Sequence, residues 1–160
     1  MAESKAIPAQ PTTHDDLSTF EVATSRYFSK ALIEESNLTP VGFTVGPPKF
    51  LSIDLVANLR ALGPVGGLFK IEDEAEFRKL YRKHLDSIGV EAIANLLQAV
   101  AWLQPGTARH DGVVLLCFCK LEADGGEPGT WCHRQVFAEW WQEKTGQPVR
   151  ELEADIGAGA

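Results

Sequence analysis

Along the chain, Thr19-Phe20-Glu21-Val22-Ala23-Thr24 alternates polar and apolar side chains, the period of a half-buried strand, and this run ends at Ser25-Arg26-Tyr27. A helix is expected over 28–35. Pro40-Val41-Gly42-Phe43-Thr44-Val45 predicts a second strand, stopped by Gly46-Pro47-Pro48 because proline cannot donate to a ladder. Leu55, Val56, Leu59 and Leu62 recur at helical spacing after Ser52, a good N-cap, so a helix is expected from Ser52 to Leu62, where Gly63-Pro64 stops it. A longer helix is expected over 72–87, with acidic residues in its first turn, Phe77, Leu80, Tyr81, Leu85 and Ile88 along one face, and Gly89 as the C-cap. Another helix should run over 90–103.

Gly112-Val113-Val114-Leu115-Leu116-Cys117-Phe118-Cys119 is apolar at nearly every position, on both alternating faces. That is the signature of a central parallel strand covered by helices on both sides. A loop with no periodicity follows over 120–131, then a helix from near His133 to Gly146, then an edge strand at Pro148-Val149-Arg150-Glu151-Leu152. Strands alternating with helices predict an α/β fold, a single Rossmann-like three-layer sandwich with a mainly parallel sheet. In such sheets ligands gather at the carboxyl ends of the strands.

Composition narrows the picture. With 160 residues, 44% of them hydrophobic, the chain can bury one ordinary core without staples. The expected domain spans 18–153, between disordered tails at 1–17 and 154–160. Fifteen basic against 22 acidic residues give a net charge of −7, which argues against non-specific binding to nucleic acid. The sequence contains neither an apolar run of membrane-spanning length nor the pattern of a signal peptide, so a cytoplasmic protein without membrane contact is expected. The three cysteines are read as thiols in a reducing compartment.

The chemistry centres on Cys132-His133-Arg134, at the start of a helix. Unpaired backbone N–H groups, the helix dipole and two cationic neighbours there favour a thiolate at Cys132 and would also hold an anion, with Arg134 able to pair bidentately. Cys132 is thus a candidate nucleophile and His133 a candidate acid or base. Cys117, at the end of the central strand, and Ser25, Arg26 and Tyr27, at the end of the first, are candidate ligand-binding residues. The bland alternative is a packed cysteine, a capping histidine and an arginine in a surface pair. Zinc is a further alternative, weakened because C-x-C followed by C-H lacks the usual knuckle spacing; the preferred reading has no metal and no cofactor. His84, at helical spacing with Tyr81, Leu85 and Ile88, reads as a satisfied half-buried histidine, and His14 and His110 have no evident partners.

Thr24-Ser25-Arg26-Tyr27, Pro40-Val41 leading to Pro48-Lys49-Phe50, Phe77 with Tyr81, Leu115-Leu116-Cys117, and Cys132-His133-Arg134 with Ala138-Glu139-Trp140 together carry a further signal over about residues 19–152. In these the chain resembles the YeaO-like proteins of the "domain of unknown function 488" group. The resemblance implies a Rossmann-like α/β fold and a pocket near Cys117, Cys132, His133 and Arg134, and it brings no established activity. The family pattern has an acidic residue two positions after the strand cysteine, where this chain has Cys119. The expected function is binding of a small anionic ligand, of nucleotide or phosphate type, with thiol-based chemistry at the same pocket. The rival from another class is an interaction or accessory module that binds a protein partner.

Overall fold

The computed structural model describes residues 19–46, 48–49, 51, 53–104, 112–119, 121 and 127–152. The expected tails, the Ser52 cap, His14, His110 and half of the loop after Cys119 lie outside the described residues. Among the described residues, five strands form one sheet in which every pairing is parallel: β1 Glu21–Arg26, β2 Thr39–Gly42, β3 Ala57–Asn58, β4 Gly112–Cys117 and β5 Arg150–Glu151, in the spatial order β3-β2-β4-β1-β5. Four helices accompany them: α1 Lys30–Ser36, α2 Glu74–Ile88, α3 Val90–Ala101 and α4 His133–Thr145. The fold is α/β, with helices on both faces of a parallel sheet.

β4 occupies the middle of the sheet and is buried at every position. Its alternating side chains feed two cores. Val113, Leu115 and Cys117 join Val22, Val41 and the inward faces of α2, α3 and α4, while Val114 and Leu116 join Ala23, Tyr27, Ile33 and Leu38 under α1. The connections obey one rule. The steps from β1 to β2 and from β2 to β3 pack against the second core, and the steps from β3 to β4 and from β4 to β5, in the opposite direction, pack against the first. A single crossover hand requires this arrangement. Dinucleotide-binding folds of the doubly wound kind place the first and second strands side by side; here β4 lies between them.

Sequence caps set the helix ends. The Asp73 carboxylate accepts the Glu76 N–H at 2.8 Å, and Gly89 ends α2 at φ 97°, a left-handed value that suits glycine. α2 lies on α4 through Phe77, Tyr81 and Leu85 on one side and Phe137, Trp140 and Trp141 on the other. Ion pairs Arg78–Glu139, Arg82–Glu143 and Lys144–Asp86 run along the rim of that contact. No helix among the described residues is long and apolar enough to cross a membrane.

One expected helix is absent. Residues 53–62 form an irregular segment, the two-residue strand β3 and a 3₁₀ turn at Arg60–Leu62. Val56 N–H donates to Pro40 O at 3.1 Å and Leu59 N–H to Gly42 O at 2.7 Å, so these amides complete the open edge of β2 instead of a helical ladder. The first strand and first helix also begin about two residues later than their patterns indicate, and β2 ends at Gly42.

Candidate functional site

β1, β2 and β4 all end at the same edge of the sheet, and α4 begins over it. The chain leaves β4 toward the first core and leaves β1 and β2 toward the second, so the loops part on either side of β4. In open α/β sheets ligands are held at such switch points, at the carboxyl ends of the strands. Arg26 and Cys117 face each other there as in-register partners, the last residues of β1 and β4.

Cys117 and Cys132 are both buried, with their sulfurs 3.1 Å apart. Cys132 is the residue before α4, and its N–H donates to Gln135 Oε1 at 3.0 Å. His133, the first helical residue, is also buried. Its Nε2 lies 3.0 Å from Phe43 O and its Nδ1 lies 3.5 Å from Cys132 Sγ. A carbonyl only accepts, so the proton is on Nε2 and the Nδ1 lone pair is left beside the Cys132 sulfur. The Phe43 ring lies 4.5 Å from the imidazole, and Tyr81 approaches edge-on at 6.0 Å. Burial in this shell pushes the His133 pKa down, against the Cys117 charge and the Phe43 bond, and favours the neutral ring.

Arg134 is wholly buried. Its Nε donates to Glu151 Oε1 at 3.0 Å, and its Nη1 donates to Cys117 Sγ at 3.0 Å and to Cys119 O at 2.6 Å. Thr24 Oγ1 donates to the same Glu151 oxygen at 2.8 Å. Burial opposes the guanidinium charge, yet Cys117 and Glu151 more than restore it. Arg134 therefore clamps β4, β5 and α4 together.

The thiols do not share the negative charge as the sequence implies. A thiolate was expected at Cys132. Instead, hydrogen bonding to Cys117 and Cys119, with burial added, pushes the Cys132 thiol up. Cys119 is drawn down to about 3, first by hydrogen bonds from Cys117 and Cys132 and then, against desolvation, by the Arg134 charge. Arg134 also touches Cys117 directly, so its charge favours an anionic sulfur in this cluster. Cys119 is also the most exposed of the three.

The remaining sequence candidates occupy the same edge. Tyr27 is buried and its hydroxyl bonds to Thr44 Oγ1 at 2.7 Å, so it ties the end of β1 to the loop after β2. Ser25 is buried, and Ser25 Oγ and Arg26 Nε have no hydrogen-bond partner among the described residues. The Arg26 guanidinium lies 5.3 Å from the centre of the Phe28 ring. Sequence reasoning missed Phe43, Thr44 and Glu151, whose roles depend on long-range placement. His84 is half-buried and bonded to Ala61 O at 2.6 Å, as its spacing with Tyr81 and Leu85 implies. A cleft of about 300 Å³ lined by Ile33, Leu38, Pro40, Ile53 and Asp54 lies apart from this chemistry.

In comparisons with known proteins, no family model, no curated protein and no solved structure matches the chain.

Proposed function

We propose that the carboxyl edge of β4 is a site for a small anionic ligand of phosphate or nucleotide type, recruited by Arg26 next to a reactive thiol at Cys119. The observation that carries this reading is the pairing of Arg26 with Cys117 across the β1–β4 switch point, with Arg26 Nε left without a hydrogen-bond partner among the described residues. Arg134, the other cation of the edge, is engaged by Glu151, Cys117 and the Cys119 carbonyl. It holds the thiol cluster while Arg26 meets the ligand. Cys132 and His133 stand behind Cys119, one as a thiol donor and one as a fixed neutral imidazole. Kinship with the YeaO-like group belongs to the same proposal. Its support is that Ser25-Arg26-Tyr27, Cys117 and Cys132-His133-Arg134, far apart in sequence, meet at one edge.

The test compares a negatively charged alkylating agent, iodoacetate, with neutral iodoacetamide on reduced, chelator-treated protein, read at each cysteine by mass spectrometry. Cys119 should react first. Its iodoacetate-to-iodoacetamide rate ratio should fall on Arg26→Gln, and inorganic phosphate should protect it. An unchanged ratio in the variant removes Arg26 as the recruiting group.

A second reading, a protein-docking module, is favoured by the exposure of Phe28, Val45 and Phe118 just beyond the ends of β1, β2 and β4. A partner captured equally by the wild type and Arg26→Gln but lost on Phe118→Ser would favour docking over ligand binding.

A further inference from the structure

The sulfurs of Cys117 and Cys132 and a ring nitrogen of His133 all lie within 4.8 Å of one another, in a buried position. Structural thiols are often buried, and burial alone says nothing about a ligand. What sets this group apart is the imidazole. Its Nε2–H is given to the Phe43 carbonyl at 3.0 Å, which fixes the ring and leaves Nδ1 as a lone-pair donor beside the Cys132 sulfur. Histidine ligands of metal ions are held in this way, with the second nitrogen on a backbone carbonyl or carboxylate.

We infer that Cys117, Cys132 and His133 form a three-ligand site for a borderline-soft divalent cation of the zinc class, with the fourth position on the Cys119 side. Tetrahedral zinc with bonds of about 2.3 Å to sulfur and about 2.0–2.1 Å to nitrogen sets its sulfur and nitrogen ligands about 3.6 Å apart and two sulfurs about 3.8 Å apart. The Cys132-to-Nδ1 distance of 3.5 Å already meets the first requirement. The two sulfurs, at 3.1 Å, must separate by about 0.7 Å to meet the second. That is a side-chain rotation at the end of a strand and the start of a helix.

Charge also fits. Binding releases the protons of Cys117 and Cys132 to solvent, and two thiolates neutralise the divalent ion. Arg134, which donates to Cys117 Sγ at 3.0 Å, remains as the outer donor to a ligating sulfur. Three protein ligands with the fourth position left to a water, a substrate or a further thiol is the pattern of a working site. The metal would therefore lie beside Arg26 and behind Cys119. The site does not depend on an anion binding at Arg26, and the alkylation test above is run without metal so that either proposal can fail alone.

The test is a cobalt(II) titration of the full chain after reduction and chelation, followed by visible and near-ultraviolet absorption and by native mass spectrometry. One cobalt per chain is expected, with intense tetrahedral d–d bands and thiolate charge-transfer absorption, both abolished by stoichiometric zinc. Cys119→Ser should retain binding, whereas Cys132→Ser and His133→Asn should lose the tetrahedral bands while keeping the wild-type far-ultraviolet circular dichroism. The wild-type spectrum decides by itself should those variants not fold. Weak octahedral absorption, no stoichiometric ion, or a mass two hydrogens lighter because Cys117 and Cys132 have joined in a disulfide under reductant would overturn the inference.

Discussion

Arg134 shows how much one side chain is asked to do. Wholly buried, it joins β5 through Glu151, β4 through Cys117 and the Cys119 carbonyl, and α4 through its own backbone. Removing one member of a buried ionic pair leaves the other charge uncompensated, at a cost of about 3–5 kcal/mol. Glu151 keeps partial access to water, which softens the loss. Arg134→Met should therefore lower unfolding free energy by about 3 kcal/mol, the low end of that range, as read from urea midpoints. Arg134→Lys should recover only part of it, because an ammonium cannot reach three partners in the planar fork that guanidinium provides. A variant with wild-type stability would show that the clamp contributes nothing.

Elements depend on close approach at one point in particular. A Cβ added to Gly42, the last residue of β2, would run into the Tyr27 hydroxyl and lie 2.6 Å from Asn58 Oδ1. Both are committed: Tyr27 to Thr44, and Asn58 to the Thr44 backbone at 3.3 Å and 3.1 Å. Gly42→Ala should destabilise by about 1–3 kcal/mol, the range for overpacking, and should weaken the β2–β3 edge most, as measured by denaturation and by exchange of the Leu59 amide. The same region limits what the sequence reveals. β4, α2 and α4 are legible because an unbroken apolar run, an acidic first turn with one apolar face, and glycine stops each have one reading. Over 55–62 the apolar spacing imitates a helix, but Leu55 packs into one core while Val56, Leu59 and Leu62 pack into the other. No helix face could serve both, and the choice was made by β2, whose free edge offered carbonyls. At the site, the tripeptide and Cys117 are readable from residue type and strand position. The Phe43 carbonyl and Glu151 are not, because a backbone oxygen has no residue signature and an edge-strand glutamate looks like any surface acid. The opposite shifts of Cys119 and Cys132 also depend on contacts among three sulfurs that sequence order does not encode.

For the molecule as a whole, the two faces of the sheet are covered unequally, and its dynamics should follow. One face carries α2, α3 and α4, packed into a core that includes Trp140, Trp141, Phe137 and Tyr81. The other is covered by the seven-residue α1, in which Ile33 alone is buried, and by Leu51, Ile53 and Leu55 from an irregular segment. Little apolar area holds α1 down, and opening free energies range from near zero at weakly packed elements up to the global value in the core. β1 and β4, paired along six residues, belong to both cores and should open only with global unfolding. The ion pairs along α2 and α4 are partly exposed, each contributes about 0–1 kcal/mol, and they should not change this ranking. Native-state hydrogen exchange should therefore find the slowest amides in β1 and β4, intermediate ones in α2 and α4, and early exchange in α1 and β3. Occupation of the edge by a metal or an anion should slow the residues around Arg26, Cys117 and His133 without slowing α1, because the site sits over the first core and α1 lies under the second. Protection of α1 equal to that of β4 would mean that the two faces unfold as one unit, and the site would then be coupled to the whole fold instead of to the helices that cover it.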